Sequence, residues 1–300
     1  MTEELRAETA AVLMRALPVT ADEIVEVSAL KKGMTNRSFL VTCRGEKYIV
    51  RLPGEGTEKL INRGGEAASY QAIAGKEIGD EILYIDPGKG YKITRFWEGA
   101  RCCDAGNDKD VALCMNKLRT FHETGLAVSH EFDIFGQIEF YEKLREGKSS
   151  AYQDYWETKE RVLSLRPYIE EHIEKKVLTH IDAVPDNFLF LQDKSGKEQI
   201  RLIDWEYAGM QDPHVDLAMF VIYSFYDRRQ ADRLMDAYFT VGCSKETRIK
   251  IYAYMAACGL LWSNWCEYKH SLGVAFGEYA LRQYRYAADY SRIVQDAWKR

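Results

Sequence analysis

Three polar side chains near the middle of the chain have the order and spacing that phosphoryl transfer requires. Asp182 and Asn187 lie five residues apart in a short predicted loop, and Asp204 follows an apolar run that ends at Ile203. In phosphoryl transfer one carboxylate orients the attacking hydroxyl, while an amide and a second carboxylate hold Mg²⁺ against a triphosphate. The pattern H-x-D-x-x-x-x-N, followed by I-D-W-E, matches that division of roles. We therefore predict that Asp182 is catalytic and binds the acceptor hydroxyl, and that Asn187 and Asp204 are metal ligands.

The residues around this trio carry less specific signals. A lone Asp in a loop more often closes a turn than acts in catalysis, so the prediction for Asp182 depends on its two companions. We expect His180 to hold the loop through hydrogen bonds. Asp216 begins an apolar helical segment, and we expect it to brace the same loop or to cap backbone groups.

A turn in the N-terminal part of the chain could face the phosphates of a nucleotide. Gly33, Met34, Thr35 and Asn36 lie between two strand-like segments, and successive backbone N–H groups in such a turn can point at phosphate oxygens. Most Gly-Asn turns do no more than reverse the chain, so this signal is weak by itself. The chain has no GxxxxGK[ST] loop.

A predicted ion pair gives a second indication of nucleotide binding. Arg51 ends the strand-like run that begins at Tyr48, and Glu66 lies on the next predicted helix. A cation held in this way can reach the α and β phosphates. The alternative is an ordinary surface Arg with a solvated Glu. The segment 93–97, which includes Phe96, is expected to line the adenine edge through its backbone groups.

The elements that must position these residues differ between the two parts of the chain. Up to residue 96 the sequence is rich in short strand-like runs, with Arg44-Gly45-Glu46 as a hairpin turn. From residue 97 the spacing of apolar residues is mostly helical, with a break expected at Pro167. We predict an α+β fold with a small antiparallel-sheet lobe at 1–96 for the nucleotide and a large helical lobe at 97–300 for the catalytic loop and acceptor.

Composition narrows the class of protein. The 300 residues include 41 Lys and Arg against 46 Asp and Glu, so the formal charge of −5 disfavours nucleic acid as the main partner. The seven Cys residues follow no metal-ligand spacing, which is typical of reduced intracellular thiols. No apolar run is long enough to span a bilayer. We expect a cytoplasmic enzyme that acts on a small molecule and does not insert into membranes.

Aromatic residues near the C-terminus admit two interpretations. Trp262 and Trp265 share one face of a predicted helix, and Tyr279 follows on the next helical segment. Such a stripe is more often part of the core. It could instead form a cage for a quaternary ammonium, a poorly hydrated cation that ring faces can solvate at about 0.5–2 kcal/mol for each ring.

Together these motifs resemble the bacterial choline kinases, within the aminoglycoside-phosphotransferase, protein-kinase-like fold. The resemblance covers residues of about 25 to 290 and rests on the turn at 33–36, the strand that ends at Arg51, the segment 56–63, the catalytic loop, I-D-W-E-Y and Trp262-x-x-Trp265. It implies transfer of a phosphoryl group from ATP, with Mg²⁺, to choline. It further implies that Asn36 and Arg51 touch the nucleotide phosphates, and that Trp262, Trp265 and Tyr279 surround the trimethylammonium group.

Two positions depart from the family pattern. Members often carry a carboxylate seven residues after the position of Asp216, where this chain has Tyr223, and Arg51 stands where close relatives can have Lys. The first change leaves the identity of the amine open. Alternatives are a kinase for ethanolamine, an aminoglycoside or a thio-sugar, and a non-catalytic sensor of a nucleotide or amine.

Overall fold

The computed structural model describes residues 1–30, 36–54, 57, 60–192 and 196–298. Contacts between residues group the chain into two compact units. The first unit comprises residues 1–102 and 187–208, and the second comprises 103–186 and 209–300. The division predicted from the sequence, at residue 96, differs from this grouping because it assigns residues 97–102 and 187–208 to the helical part.

The first unit contains a five-stranded antiparallel sheet in the order β1-β2-β3-β5-β4. Two helices accompany the sheet, one before its first strand and one between β3 and β4. These elements are α1 (Glu3–Ala16), β1 (Ile24–Ala29), β2 (Asn36–Cys43), β3 (Glu46–Pro53), α2 (Arg63–Ile73), β4 (Ile82–Asp86) and β5 (Tyr91–Arg95).

The β2–β3 hairpin shows how local sequence sets the register of this sheet. Arg44 and Gly45 both have positive φ angles, of 51° and 76°, as a two-residue turn that matches the strand twist requires. Cys43 then pairs with Glu46, and Arg51 falls opposite Ser38. Alternate side chains enter a core that includes Val41, Val50 and Ile93, each fully buried. The predicted hairpin is confirmed.

A second, three-stranded sheet completes the first unit. Its strands are β6 (Arg101–Cys102), β8 (Phe188–Gln192) and β9 (Glu198–Leu202), in the order β6-β8-β9. The β8–β9 pair is antiparallel, with Phe188 opposite Leu202. Both side chains are fully buried, so the apolar residues that flank the predicted catalytic segment anchor this hairpin.

The second unit is mainly helical, with a small β7–β10 pair between its helices. Pro167 lies at the start of α6, and the preceding helix ends at Ser164, so the predicted break is confirmed. The elements are α3 (Asp108–Glu123), α4 (Ile134–Lys143), α5 (Tyr155–Ser164), α6 (Arg166–Glu171), β7 (Val177–Thr179), β10 (Gly209–Gln211), α7 (His214–Tyr223), α8 (Arg228–Tyr238), α9 (Lys245–Ser271) and α10 (Glu278–Trp298).

Helix α9 forms the centre of the second unit, and residues 250–266 along it are all buried. Its close packing on α10 depends on Gly259, where an added Cβ would lie 2.7 Å from the carbonyl oxygen of Gln283. Within the described ranges, no helix is long and apolar enough to cross a membrane.

Candidate active site

Asn187 and Asp204, the predicted metal ligands, lie at the same end of the β8–β9 hairpin in the first unit. Asn187 immediately precedes β8, Asp204 follows β9, and the backbone N–H of Ile203 donates to the carbonyl oxygen of Asn187 at 2.9 Å. Asn187 is buried, whereas the side chain of Asp204 is 42% exposed. The hairpin therefore places Asn187 and Asp204 at neighbouring positions beyond the paired ends of β8 and β9.

The chemistry of this pair suits Mg²⁺. The ion prefers hard oxygen ligands and usually takes one or two from protein, while phosphate and water complete its shell. The residues that the structure describes contain no cluster of three or more His, Cys, Asp or Glu side chains that could hold a metal alone. Asp204 adopts a φ of 67°, which is uncommon for a residue with a side chain and better tolerated by Asp than by most. Strained backbone of this kind is often found at functional sites.

The ion pair predicted between Arg51 and Glu66 is present and almost completely buried. One guanidinium nitrogen of Arg51 donates to Oε2 of Glu66 at 2.8 Å, and a second donates to Oε1. Burial alone would raise the pKa of Glu66, but the charge of Lys92 and the hydrogen bond from Arg51 hold it at about 2. Glu66 is therefore ionised at neutral pH. The contact of Arg51 with phosphates stays a prediction.

Asn36 belongs to the same buried network. Its Nδ2 donates to Oε2 of Glu206 at 2.6 Å, and its Oδ1 accepts from Arg63 at 2.7 Å. Arg63 also contacts Glu66 at 3.1 Å and Glu206 at 3.4 Å. Burial and the neighbouring charge of Asp204 raise the pKa of Glu206 to about 7. The side chain of Asn36 is thus engaged within the protein. Gly33, Met34 and Thr35, predicted with it, lie outside the described residues.

Arg63 and Glu206 belong to this network although no sequence pattern indicated a role for either. Arg63 precedes Glu66 by three residues on α2, a spacing that places both side chains on one helix face and could have indicated their contact. Glu206 follows Asp204 by two residues within the quoted I-D-W-E motif. Its contacts with Asn36 and Arg63 join residues more than 140 positions apart, which no local pattern reveals.

Phe96 lies just after β5, where the sequence predicted contact with an adenine. Its backbone N–H donates to the carbonyl oxygen of Lys47 at 3.0 Å and extends the pairing between β3 and β5. An adenine contact by Phe96 would therefore use its carbonyl group or its ring. The prediction that residues 93–97 line a nucleotide stays open in that form.

In the second unit, Asp216 braces the loop that carries Asp182, as the sequence predicted. Oδ1 of Asp216 accepts from the N–H of Ile181 at 2.7 Å, and Oδ2 accepts from the N–H of His180 at 3.0 Å. Ile181 adopts a φ of 69°, a genuine outlier for a β-branched residue. Two hydrogen bonds to one buried carboxylate stabilise this strained backbone immediately before Asp182.

His122 extends this support, although no sequence pattern had assigned it a role. Its Nε2 lies 2.9 Å from Oδ2 of Asp216, and its Nδ1 lies 2.8 Å from the hydroxyl of Tyr238. The histidine is buried, so the chain Tyr238–His122–Asp216 holds the same carboxylate oxygen that accepts from the N–H of His180. No sequence pattern indicated these contacts because the three residues lie on α3, α7 and α8, which are far apart in the sequence.

The three predicted aromatic residues join one continuous series of ring contacts in the second unit. The rings of Trp262 and Trp265 lie 5.8 Å apart, and Trp265 contacts Phe276 at 5.0 Å. Phe276 leads to Tyr279 at 6.4 Å, which also faces Tyr223 at 6.0 Å. We call Tyr223, Phe225, Trp262, Trp265, Phe276 and Tyr279 the aromatic cluster; Phe225 contacts Tyr279 at 6.0 Å.

The aromatic cluster contains both core-like and site-like features. Trp262 is 6% exposed and donates from Nε1 to the sulfur of Met219 at 3.0 Å, as a core residue would. Trp265 is 3% exposed, and among the described residues its Nε1 is a buried donor without a hydrogen-bond partner. Burial raises the pKa of Tyr279 well above its ordinary value, with further contributions from Cys266, Asp182 and Tyr223.

Charged groups border the aromatic cluster at three of its rings. The hydroxyl of Tyr223 donates to Oδ2 of Asp186 at 2.8 Å, which links a carboxylate to the position where the expected one is missing. The ammonium of Lys269 lies 5.9 Å from the ring centroid of Trp265, and burial lowers the pKa of this lysine. A third charged group, the guanidinium of Arg282, lies 5.2 Å from the ring centroid of Phe225 and pairs with Glu278. The described residues thus place a carboxylate, an amine and a guanidinium at the border of the cluster.

Comparison with known proteins gives a consistent assignment of fold and family. The family model described as choline/ethanolamine kinase matches residues 27–234. Protein LicA of Haemophilus influenzae strain Rd is 28% identical over 268 residues, which cover 83% of this chain and 96% of that protein.

Solved structures agree with the sequence comparison. The crystal structure of choline kinase LicA from Streptococcus pneumoniae has a TM-score of 0.83 and 27% identity, covering 97% of this chain and all of that one. A structure of LicA in complex with AMP has a TM-score of 0.82 at the same identity, covering 98% of this chain and 100% of that one. An aminoglycoside 2′-phosphotransferase, at 15% identity and a TM-score of 0.58, covers 97% of this chain and 99% of that one and shares the fold alone. The predicted α+β, protein-kinase-like fold class is confirmed.

Proposed function

The chain belongs to the choline/ethanolamine kinase family, and we propose that it transfers the γ-phosphoryl group of ATP to the hydroxyl of choline, with Mg²⁺, to give phosphocholine. The family match and the similarity to LicA support a small-molecule kinase. The AMP complex of LicA supports nucleotide binding by this chain as well. The proposal of choline as the acceptor rests on the aromatic cluster of the second unit.

The observation that carries the choline proposal is the aromatic cluster, in which Trp262, Trp265 and Tyr279 belong to one connected set of ring contacts. A trimethylammonium group cannot donate N–H hydrogen bonds, and ring faces stabilise it by about 0.5–2 kcal/mol each. The buried faces of Trp262 and Trp265 are suited to such a cation, and the hydroxyl at the other end of choline would then approach Asp182. A polycationic sugar would instead require several carboxylates.

The proposed step transfers one phosphoryl group and one proton. Asp182 orients the hydroxyl of choline and accepts its proton as the oxygen bonds to the γ-phosphorus and the bond to the β–γ bridging oxygen breaks. Asp216 keeps Asp182 in place through the hydrogen bonds to Ile181 and His180. When bound, Mg²⁺ neutralises developing charge on the phosphates. Asn187 and Asp204 would hold the ion, and the buried Arg51–Glu66 pair would supply a fixed positive charge for the α and β phosphates.

Preference for choline over ethanolamine follows from the charges at the border of the aromatic cluster. The primary ammonium of ethanolamine needs hydrogen-bond acceptors close to its nitrogen, whereas choline needs ring faces and a more distant negative charge. Tyr223 stands where relatives often have a carboxylate and holds Asp186 through its hydroxyl. We propose that Asp186 supplies this distant charge and offsets the amine of Lys269.

The test is a panel of acceptors assayed for ADP formation with Mg²⁺ and ATP. The panel contains choline, dimethylethanolamine, ethanolamine, the neutral isostere 3,3-dimethylbutanol and an aminoglycoside. We expect kcat/KM to fall in the order choline, dimethylethanolamine, ethanolamine, because each lost methyl group replaces ring contact with an unpaired N–H donor. A higher kcat/KM for ethanolamine or for the aminoglycoside would contradict the choline assignment.

The panel also tests the non-catalytic alternative. A sensor of this fold would bind ADP and choline in calorimetry while forming no phosphorylated product from any acceptor. Turnover of choline at a rate well above background ATP hydrolysis would exclude that alternative.

A further inference from the structure

Lys92 is a buried cation beside the predicted nucleotide groups that no sequence motif singles out. It lies on β5 directly opposite Arg51 of β3 in the sheet register, and it is 6% exposed. Because paired residues on adjacent strands project from the same face, both cations come from that face of the sheet. A lysine is rarely buried to this extent without specific partners, so its contacts indicate what it does.

Three groups surround the ammonium of Lys92 within the first unit. Its Nζ donates to the hydroxyl of Tyr70 at 2.7 Å and lies 3.5 Å from Oε1 of Glu66. The same nitrogen lies 3.8 Å from Oδ1 of Asp204. It also lies 4.7 Å from the ring centroid of Tyr70. One ammonium therefore links the carboxylate that holds Arg51 to the carboxylate predicted to bind the metal.

Neutralising Glu66 does not by itself explain Lys92. Arg51 engages both oxygens of Glu66, and Arg63 adds a third contact at 3.1 Å. Glu66 therefore already has two cationic partners. Among the ion pairs of the described residues, the cation paired with Asp204 is Lys92. Lys92 is therefore one of three cations at Glu66, and the ion pair that distinguishes it from Arg51 and Arg63 is the one with Asp204.

We propose that Lys92 is a positioning residue that fixes the carboxylate of Asp204 for the metal–nucleotide complex and aligns it with the Arg51–Glu66 pair. The proposal rests on the function proposed above. Asp204 is partly exposed, and its carboxylate would otherwise sample several rotamers. With Oδ1 drawn toward Lys92, Oδ2 can serve the metal. Partners of this kind orient metal ligands, and their loss typically costs about 10–100-fold in metal affinity or activity.

The experiment compares Lys92→Met with Lys92→Arg and uses calorimetry as a readout independent of turnover. ADP is titrated into each protein with and without Mg²⁺. We expect Lys92→Met to weaken ADP binding about tenfold or more when Mg²⁺ is present, and to change metal-free ADP binding less than twofold. Lys92→Arg, which keeps the charge, should recover a large part of the affinity measured with Mg²⁺.

Two further variants separate positioning from a general structural effect. Lys47→Met removes a lysine from β3 of the same sheet and should leave both affinities unchanged. Its ion pair with Glu98, at 2.7 Å, joins a half-buried lysine to an exposed carboxylate. Tyr70→Phe removes the hydrogen bond to Lys92 while retaining the ring, and should give a smaller loss confined to the Mg²⁺ titration. This variant and Lys92→Arg test the proposal even if Lys92→Met does not fold.

The outcomes distinguish this inference from the proposed function. If Lys92→Met weakens ADP binding equally with and without Mg²⁺, or only lowers the unfolding temperature, Lys92 is structural and the inference is overturned. Choline phosphorylation by the wild type would stand in that case. If the wild type phosphorylates no acceptor but its Mg²⁺-dependent ADP binding requires Lys92, the function fails while the inference is supported.

Discussion

The side chains predicted to bind ligands are of opposite kinds in the two units. In the first unit, the cations Arg51, Arg63 and Lys92 interlock with the carboxylates of Glu66, Glu206 and Asp204. In the second unit, six aromatic rings form one connected set of contacts, and the charged groups lie at the border of this aromatic cluster. A strongly hydrated triphosphate requires fixed charges to replace water, whereas a poorly hydrated cation requires polarisable ring faces.

This difference predicts how each region responds to mutation. Removal of one member of a buried ionic network leaves its partner charged and unpaired, which is costly. Removal of one ring leaves the remaining rings able to contact a cation, at the cost of a cavity if the ring is also part of the core. The ionic network should therefore fail as a unit, and the aromatic cluster should weaken by steps.

The largest expected effect comes from substitution of Asp182, the proposed proton acceptor, which belongs to the same unit as the aromatic cluster. Asp182→Asn keeps the size of the side chain and removes the proton acceptor, so kcat for choline should fall by about 10²–10⁴-fold, the usual contribution of such a group. The KM for ATP should change little. Steady-state assays with choline varied at fixed ATP measure this, and a kcat within a few-fold of wild type would remove Asp182 from its assigned role.

Glu66→Gln tests whether the ionic network acts as a unit. The substitution leaves Arg51 buried with the more distant carboxylate of Glu206, at 3.8 Å, as its charge partner, and should lower the free energy of unfolding by about 3 kcal/mol. The pKa of Glu66 is lowered from 4.5 to about 2, so its stabilising contribution is complete above pH 4.5 and is lost as pH falls toward 2. Denaturant titrations of wild type and variant should therefore converge as the pH is lowered. The exposed Glu98→Gln is the control, and equal stabilities at neutral pH for Glu66→Gln and wild type would contradict the account.

Trp265→Leu should have a smaller effect that is confined to the acceptor. Loss of one ring contact worth about 0.5–2 kcal/mol corresponds to a roughly 2- to 30-fold rise in KM for choline. The KM for ATP should stay unchanged. Trp156→Leu, which alters a tryptophan that is 65% exposed in the same unit, provides the matched control. Equal loss of ATP and choline affinity would indicate a core role for Trp265.

The smallest expected effect concerns Asp186, whose charge acts from the border of the aromatic cluster. Asp186→Asn should raise KM for choline by about 1.4- to 5-fold, because an exposed charge contributes roughly 0.2–1 kcal/mol. The neutral 3,3-dimethylbutanol should be used equally well by wild type and variant, which separates charge from shape and from any effect on Asn187. Asp289→Asn, far along α10, controls for net charge. A parallel loss for both acceptors would rule out Asp186 as a charge partner.

Local patterns were sufficient to predict much of the fold and part of the candidate site. The hairpin at Arg44-Gly45, the break at Pro167 and the proximity of Asn187 and Asp204 each follow from short segments with defined geometry. The bracing role of Asp216 followed from its place at the start of an apolar helix. The Arg51–Glu66 pair followed from strand and helix order.

The residues that sequence analysis missed share long-range partners. Lys92 is linked to Asp204 across 112 positions, and His122 to Asp216 across 94. Charged residues of either kind are ordinary at the surface, and only the packing of distant elements shows that these two are buried and paired. The same limit kept the core and cage interpretations of Trp262 and Trp265 open, because helical spacing gives a common face without identifying what that face contacts.

Phosphorus NMR of one reaction mixture tests the central claim most directly. Wild-type protein is incubated with ATP, Mg²⁺ and choline, and the phosphorus signals are followed until ATP is consumed. The account predicts that the γ-phosphate signal is replaced by the monoester signal of phosphocholine in equal amount with ADP. A γ-phosphate signal that persists, or that is replaced by inorganic phosphate alone, would contradict it.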